Sequence, residues 1–137
     1  MVGINKYKKG YSKLKNAVKD AEAVKEGLNS VGVERIISAL DCDIEQLTDK
    51  TNEFLSTLRK GDVAIVYVAA HGVMYQNQHV FLTTTSTDAN IRETSLSVQK
   101  LLATLVTRYL ACTLMFGAYY SRASKCTALR STVREWS

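Results

Sequence analysis

His71 and Cys112 are the two residues whose chemistry stands out, each at the end of an apolar run. His71 follows Val63-Ala64-Ile65-Val66-Tyr67-Val68-Ala69-Ala70 and precedes Gly72, and Cys112 follows Tyr109-Leu110-Ala111, 41 residues later. A thiolate is a strong nucleophile, and an imidazole can take up its proton and return it to a leaving amine. Backbone N–H groups at Gly72 and Cys112 would hold the oxyanion formed on the attacked carbonyl. Gly72 also allows backbone torsions and a close approach that a side chain would forbid. Taken singly, a histidine ending a strand is more often structural, and Cys112 reads more simply as a small buried apolar residue.

The other reactive side chains suit chemistry less well. Cys42 lies between Asp41 and Asp43, whose carboxylates would raise a thiol pKa, so it reads as structural. Cys126 has Lys125 beside it to lower its pKa, in a stretch where no pattern positions it. His79, within Gln78-His79-Val80-Phe81, reads as a surface residue of an edge strand. Three cysteines without a CxxC pair argue against a disulfide framework or zinc knuckle. Glycine-rich phosphate loops, HExxH and EF-hand patterns are absent.

The elements that would hold His71 and Cys112 follow from periodicity. Ala17, Val18, Ala21, Val24 and Leu28 recur at helical spacing behind Asn16, an expected N-cap, until Gly32. Val33–Leu40 has the β-branched content of a short strand. A second helix starts behind Asp43, with Ile44, Leu47, Phe54, Leu55 and Leu58 on one face, and closes at Lys60-Gly61. The unbroken apolar run from Val63 predicts a central strand covered on both faces. Residues 73–82 suggest a hairpin, and Thr83–Thr94 a polar loop. A third helix capped by Ser95 or Ser97 is expected through Val106, then a strand over Tyr109–Phe116. Met1-Val2-Gly3-Ile4 reads as the last part of a strand.

This alternation predicts a three-layer α/β/α sandwich with a mostly parallel sheet. Ligands of such sheets collect beyond the carboxyl ends of the strands, where His71 is expected.

Composition narrows the classes. The chain has 137 residues, 46% apolar and 23% charged, with seven glycines and no proline, which describes one compact soluble domain rather than a disordered or collagen-like chain. No window reaches the roughly 20 apolar residues of a bilayer span. No secretory leader pattern opens the sequence, so the cytoplasm is the expected compartment. The net charge of +5 gathers near the two ends, in Lys6, Lys8, Lys9, Lys13 and Lys15 and in Arg122, Lys125, Arg130 and Arg134. No aromatic residues alternate with these charges in a binding motif, so a solvated surface is the simpler reading and nucleic acid is not an expected partner.

The ordered segments Val2-Gly3-Ile4-Asn5-Lys6-Tyr7, Leu14-Lys15-Asn16-Ala17-Val18-Lys19-Asp20-Ala21 and Gly61 through Gly72 resemble the large-subunit part of the caspase-like cysteine peptidases, metacaspases in particular. The resemblance spans most of residues 1–107, and its specificity lies in the combination. It implies a caspase-like fold and thiol-dependent cleavage of polypeptides, with His71 the catalytic histidine and Gly72 its oxyanion neighbour. Ala111-Cys112 matches the nucleophile, although Leu110 and Thr113 depart from the family context and the family spacing is about 50 residues. Metacaspases that cut after Arg or Lys carry an acidic residue two positions before the nucleophile, where this chain has Leu110. Caspases that cut after Asp use arginines, whereas Tyr11–Asn16 holds only lysines as cations.

No cofactor is called for. Calcium dependence enters through the family alone, with no residue pattern here to carry it. The domain is expected over 1–116, incomplete on its C-terminal side, with 117–137 a basic divergent tail. An incomplete sheet has an unpaired edge, which suggests self-association or pairing with a related caspase-like chain. The competing expectation is an inactive caspase-like fragment or pseudoenzyme that serves as an interaction module. A flavodoxin-like binding domain would explain the alternation of elements while leaving the matched segments as coincidence.

Overall fold

The computed structural model describes residues 1–8, 10–108, 110–120 and 126–132, with side chains described through residue 107. In chain order the elements are β1 (Val2–Gly3), α1 (Ala17–Ser30), β2 (Ala39–Leu40), α2 (Ile44–Thr57), β3 (Asp62–Tyr75), β4 (Gln78–Leu82), α3 (Ile91–Thr94), β5 (Ser95–Ser97), α4 (Val98–Arg108), β6 (Leu110–Tyr120) and β7 (Cys126–Thr132).

The centre of the sheet is parallel: β1 lies between β2 and β3, and β3 pairs on its other side with β6. Antiparallel pairs finish it, β3 with β4, β4 with β5, and β6 with β7. The sheet is therefore mixed around a parallel core. β6 runs past residue 116 to Tyr120, and β7 lies within the 117–137 tail.

Helices cover two faces. Gly3 stands in register with Ala69, and a Cβ at Gly3 would meet α1 at Ala17 and Ala21. Ala17, Ala21 and Ala69 are at most 1% exposed, so small residues let α1 sit close against the sheet. On the opposite face Ala64, Val66, Val68 and Ala70 join Leu47 of α2 and Leu101 and Leu105 of α4 in one core. Three layers result, as expected. Coverage of β3 on both faces holds only from Val68 to His71; Val63 is 61% exposed, and even-numbered positions alone are buried before Val68.

Local chemistry explains the element ends. Asp43 caps α2 reciprocally, its carboxylate accepting from the Gln46 N–H at 2.9 Å while the Gln46 side chain accepts from the Asp43 N–H at 3.2 Å. Asp43→Ala is expected to destabilise the fold by about 1 kcal/mol, read from urea unfolding. Asn16 occupies the N-cap position of α1 but makes no side-chain cap bond. Asn5 does this instead, its Oδ1 accepting from the Val18 N–H at 3.2 Å. The strand expected over Val33–Leu40 shrinks to Ala39–Leu40, because β1 is only two residues long and offers no further partner. The hairpin after β3 turns on Gln76 and Asn77, both with positive φ, as a two-residue primed turn requires.

Candidate active site

His71 sits near the carboxyl end of the parallel part of β3 and is 7% exposed. Its backbone N–H donates to Tyr7 Oη at 2.9 Å, and Tyr7 Oη in turn donates to the Ile4 carbonyl at 3.3 Å. Burial holds the Tyr7 hydroxyl well above the ordinary phenol range, so it remains a neutral donor. The His71 ring packs 4.7 Å from the Tyr7 ring and 5.9 Å from the Tyr11 ring. Its Nε2 lies 2.8 Å from the Ser12 carbonyl oxygen. A carbonyl only accepts, so Nε2 carries the proton and Nδ1 is the basic nitrogen of the neutral ring.

The loop bearing Tyr7, Tyr11 and Ser12 is fixed at several points. The Asp41 carboxylate accepts from the N–H groups of Asn5 and Lys6, at 2.7 and 3.0 Å. Tyr11 Oη donates to Asp88 Oδ1 at 2.5 Å, and the Lys8 N–H to the Thr84 carbonyl at 3.0 Å. Residues 83–94, expected as a plain polar loop, are knitted through buried Thr83 and Ser86, whose hydroxyls both donate to the Thr94 carbonyl. Tyr7→Phe removes the acceptor of a buried N–H and is expected to cost about 1–3 kcal/mol, checked by thermal unfolding.

Gly72 is extended and stands opposite Phe81. The primed turn makes Tyr75 and Gln78 the closing hydrogen-bonded pair, and alternation then makes Gly72–Phe81 a non-hydrogen-bonded pair. The Gly72 N–H thus points away from β4, towards the side on which β6 runs. It does so in extended backbone rather than through the unusual torsions that glycine would permit.

The cysteines are placed differently from expectation. Cys112 falls outside the residues with described side chains, but its backbone stands opposite Val63, while Tyr120 stands opposite His71. Eight residues of strand separate the two levels, about 26 Å. The structure therefore does not bring Cys112 to His71, nor the Cys112 N–H to that of Gly72. Cys126 pairs with Tyr120, which puts its backbone level with His71 two strands away, about 10 Å.

Cys42 is 4% exposed, and burial, with Asp43 and Asp41 adding to it, raises its thiol pKa from 9.0 to about 11. The folded chain keeps this proton where the unfolded chain has lost it. Stability from this source is complete below pH 9 and falls as pH rises towards 11. Urea unfolding across that range should show a decline in the wild type that is reduced in Cys42→Ala.

Tyr7, Tyr11 and the Ser12 carbonyl are site components that residue chemistry alone did not single out. Tyr7 was visible only as the end of a matched segment. Among the described residues no group of three His, Cys, Asp or Glu side chains could hold a metal, and no helix is long and apolar enough to cross a membrane.

The parallel-centred α/β sheet thus holds a histidine near the carboxyl end of its central strand with a glycine N–H beside it, the region where such sheets collect ligands. The family model of the caspase domain matches residues 1–116, and the chain belongs to that family. No curated protein is significantly similar to the chain.

Proposed function

We propose that the chain is a cysteine-type endopeptidase domain of the metacaspase type, acting on polypeptides in the cytoplasm, with His71 as its acid and base. The fixation of the His71 ring supports this most strongly: Ser12 selects the tautomer and Tyr7 clamps the backbone. In the reaction, Nδ1 takes the thiol proton and the thiolate attacks the scissile carbonyl. The Gly72 N–H stabilises the oxyanion, and the imidazolium protonates the leaving amine. Water, deprotonated by the same nitrogen, then hydrolyses the thioester.

Cys112 is the proposed nucleophile because it lies inside the family match. Its use requires β6 to advance by eight residues along β3, an even shift that keeps each position on its face of the sheet. The register itself favours a second reading, in which the domain is non-catalytic and acts by binding a related chain. Incubation of the folded protein with peptide libraries carrying basic or acidic residues before the scissile bond separates the two. Thiol-dependent turnover supports the peptidase; persistent inactivity of folded protein rejects it.

A further inference from the structure

The carbonyl that accepts from His71 Nε2 belongs to an exposed residue, Ser12, although His71 itself is buried. A bond to an exposed carbonyl competes with water, so it holds only as well as that carbonyl is held. The loop after β1 is closed by the Leu14 N–H, which donates to the Asn5 carbonyl at 2.8 Å, and Lys8 ties its first half to Thr84. Next to Ser12 the tie is a side chain, Tyr11 donating to Asp88.

Asp88 stands on a braced support. It lies in the turn Thr87–Asn90, where the Asn90 N–H donates to the Thr87 carbonyl at 3.1 Å. From inside that turn Asn90 Oδ1 accepts from the Thr87 N–H at 2.6 Å and from the Thr87 hydroxyl at 2.9 Å, and Asn90 Nδ2 donates to the Thr85 carbonyl at 3.3 Å. Thr83 and Ser86, both fully buried, fasten the same segment to the Thr94 carbonyl. At the other end, the Tyr11 ring faces the imidazole, and the Tyr7 ring meets both. Tyr11 and Ser12 are joined by a rigid planar peptide unit. Swinging the phenol away from Asp88 therefore disturbs two contacts of His71 together, the ring it faces and the carbonyl it donates to.

We propose that Asp88 is a positioning residue for His71, acting through Tyr11 to keep the Ser12 carbonyl on Nε2 and so leave Nδ1 free as the base. This role rests on His71 being the acid and base proposed above, whereas the chain of contacts behind it is measurable without turnover. An acceptor oxygen at position 88 is what Tyr11 requires, so Asp88→Asn keeps the bond and Asp88→Ala loses it.

The test follows the Nε2 proton of His71 by proton–nitrogen NMR in wild type, Asp88→Ala, Asp88→Asn and Tyr11→Phe. Asp88 is exposed, so its replacement leaves the core intact. Asp88→Ala and Tyr11→Phe should speed exchange of that proton with water by about tenfold, while Asp88→Asn stays within about twofold of wild type and the backbone amides of β3 are unchanged in all three. Wild-type exchange in Asp88→Ala overturns the proposal, as does Asp88→Asn exchanging as fast as Asp88→Ala. Faster exchange of the β3 amides alongside the ring proton also overturns it, because Asp88 would then serve general stability. Peptide cleavage should follow the same order in kcat with KM nearly constant, and an undiminished kcat in Asp88→Ala counts against the role. A wild type that cleaves nothing yet shows the Asp88-dependent ring proton would reject the peptidase reading while the contact chain stands.

Discussion

His71→Ala is expected to lower thiol-dependent peptide cleavage by about 10²–10⁴-fold, the usual contribution of a positioned acid and base. The loss should fall on kcat, because the ring moves protons in the transition state rather than holding the substrate. His71→Gln sharpens the test, since its amide N–H takes the place of Nε2 beside the Ser12 carbonyl but offers no titratable nitrogen. If Gln retained the wild-type rate, the ring would serve structure alone. Circular dichroism and unfolding of both variants must accompany the rates, because His71 is buried and its removal leaves a small void beside Tyr7.

The second large effect is on stability. A Cβ at Gly3 would lie 2.8 Å from the Ala17 carbonyl oxygen, 2.9 Å from the Val18 Cα and 2.9 Å from the Ala21 Cβ. Two of these are backbone atoms of α1, so no rotamer change relieves the contact. The helix must lift from the sheet, which also lengthens the bond from Val18 to Asn5 that caps it. Gly3→Ala should cost about 1–3 kcal/mol, and Gly3→Val should reach or exceed the top of that range. Equilibrium unfolding in urea measures both. A Gly3→Val protein as stable as wild type would mean that α1 does not pack where the alanines place it. Because the Asn5–Ser12 loop follows β1 directly, the same substitution should loosen His71 and lower any cleavage with it.

How far the sequence was legible depended on whether a signal was local. The β3 run, the Asp43 helix start and the 73–82 hairpin are encoded in neighbouring residues, and each appears in the fold. Asn16 has a preferred capping residue type, yet Asn5, eleven positions earlier, supplies the bond; only the tertiary path of the loop decides between them. The register that sets Cys112 opposite Val63 was illegible for a related reason. Composition shows that residues after Tyr109 suit a strand, but register is a pairing property, and an eight-residue offset along β3 changes no local preference. Tyr7 and Ser12 act through a phenol oxygen and a main-chain carbonyl, groups whose roles leave no compositional mark.

The most direct measurement is labelling of the purified chain with an electrophilic peptide probe, followed by peptide mapping, in wild type and in His71→Ala. The proposed role of His71 predicts selective modification of Cys112 that disappears without the imidazole. His71-dependent modification of Cys126 instead would contradict the Cys112 assignment and move the nucleophile to the cysteine whose backbone stands level with that of His71. Equal slow labelling of Cys42, Cys112 and Cys126, indifferent to His71, would contradict the peptidase reading itself and leave a caspase-family scaffold without a working site.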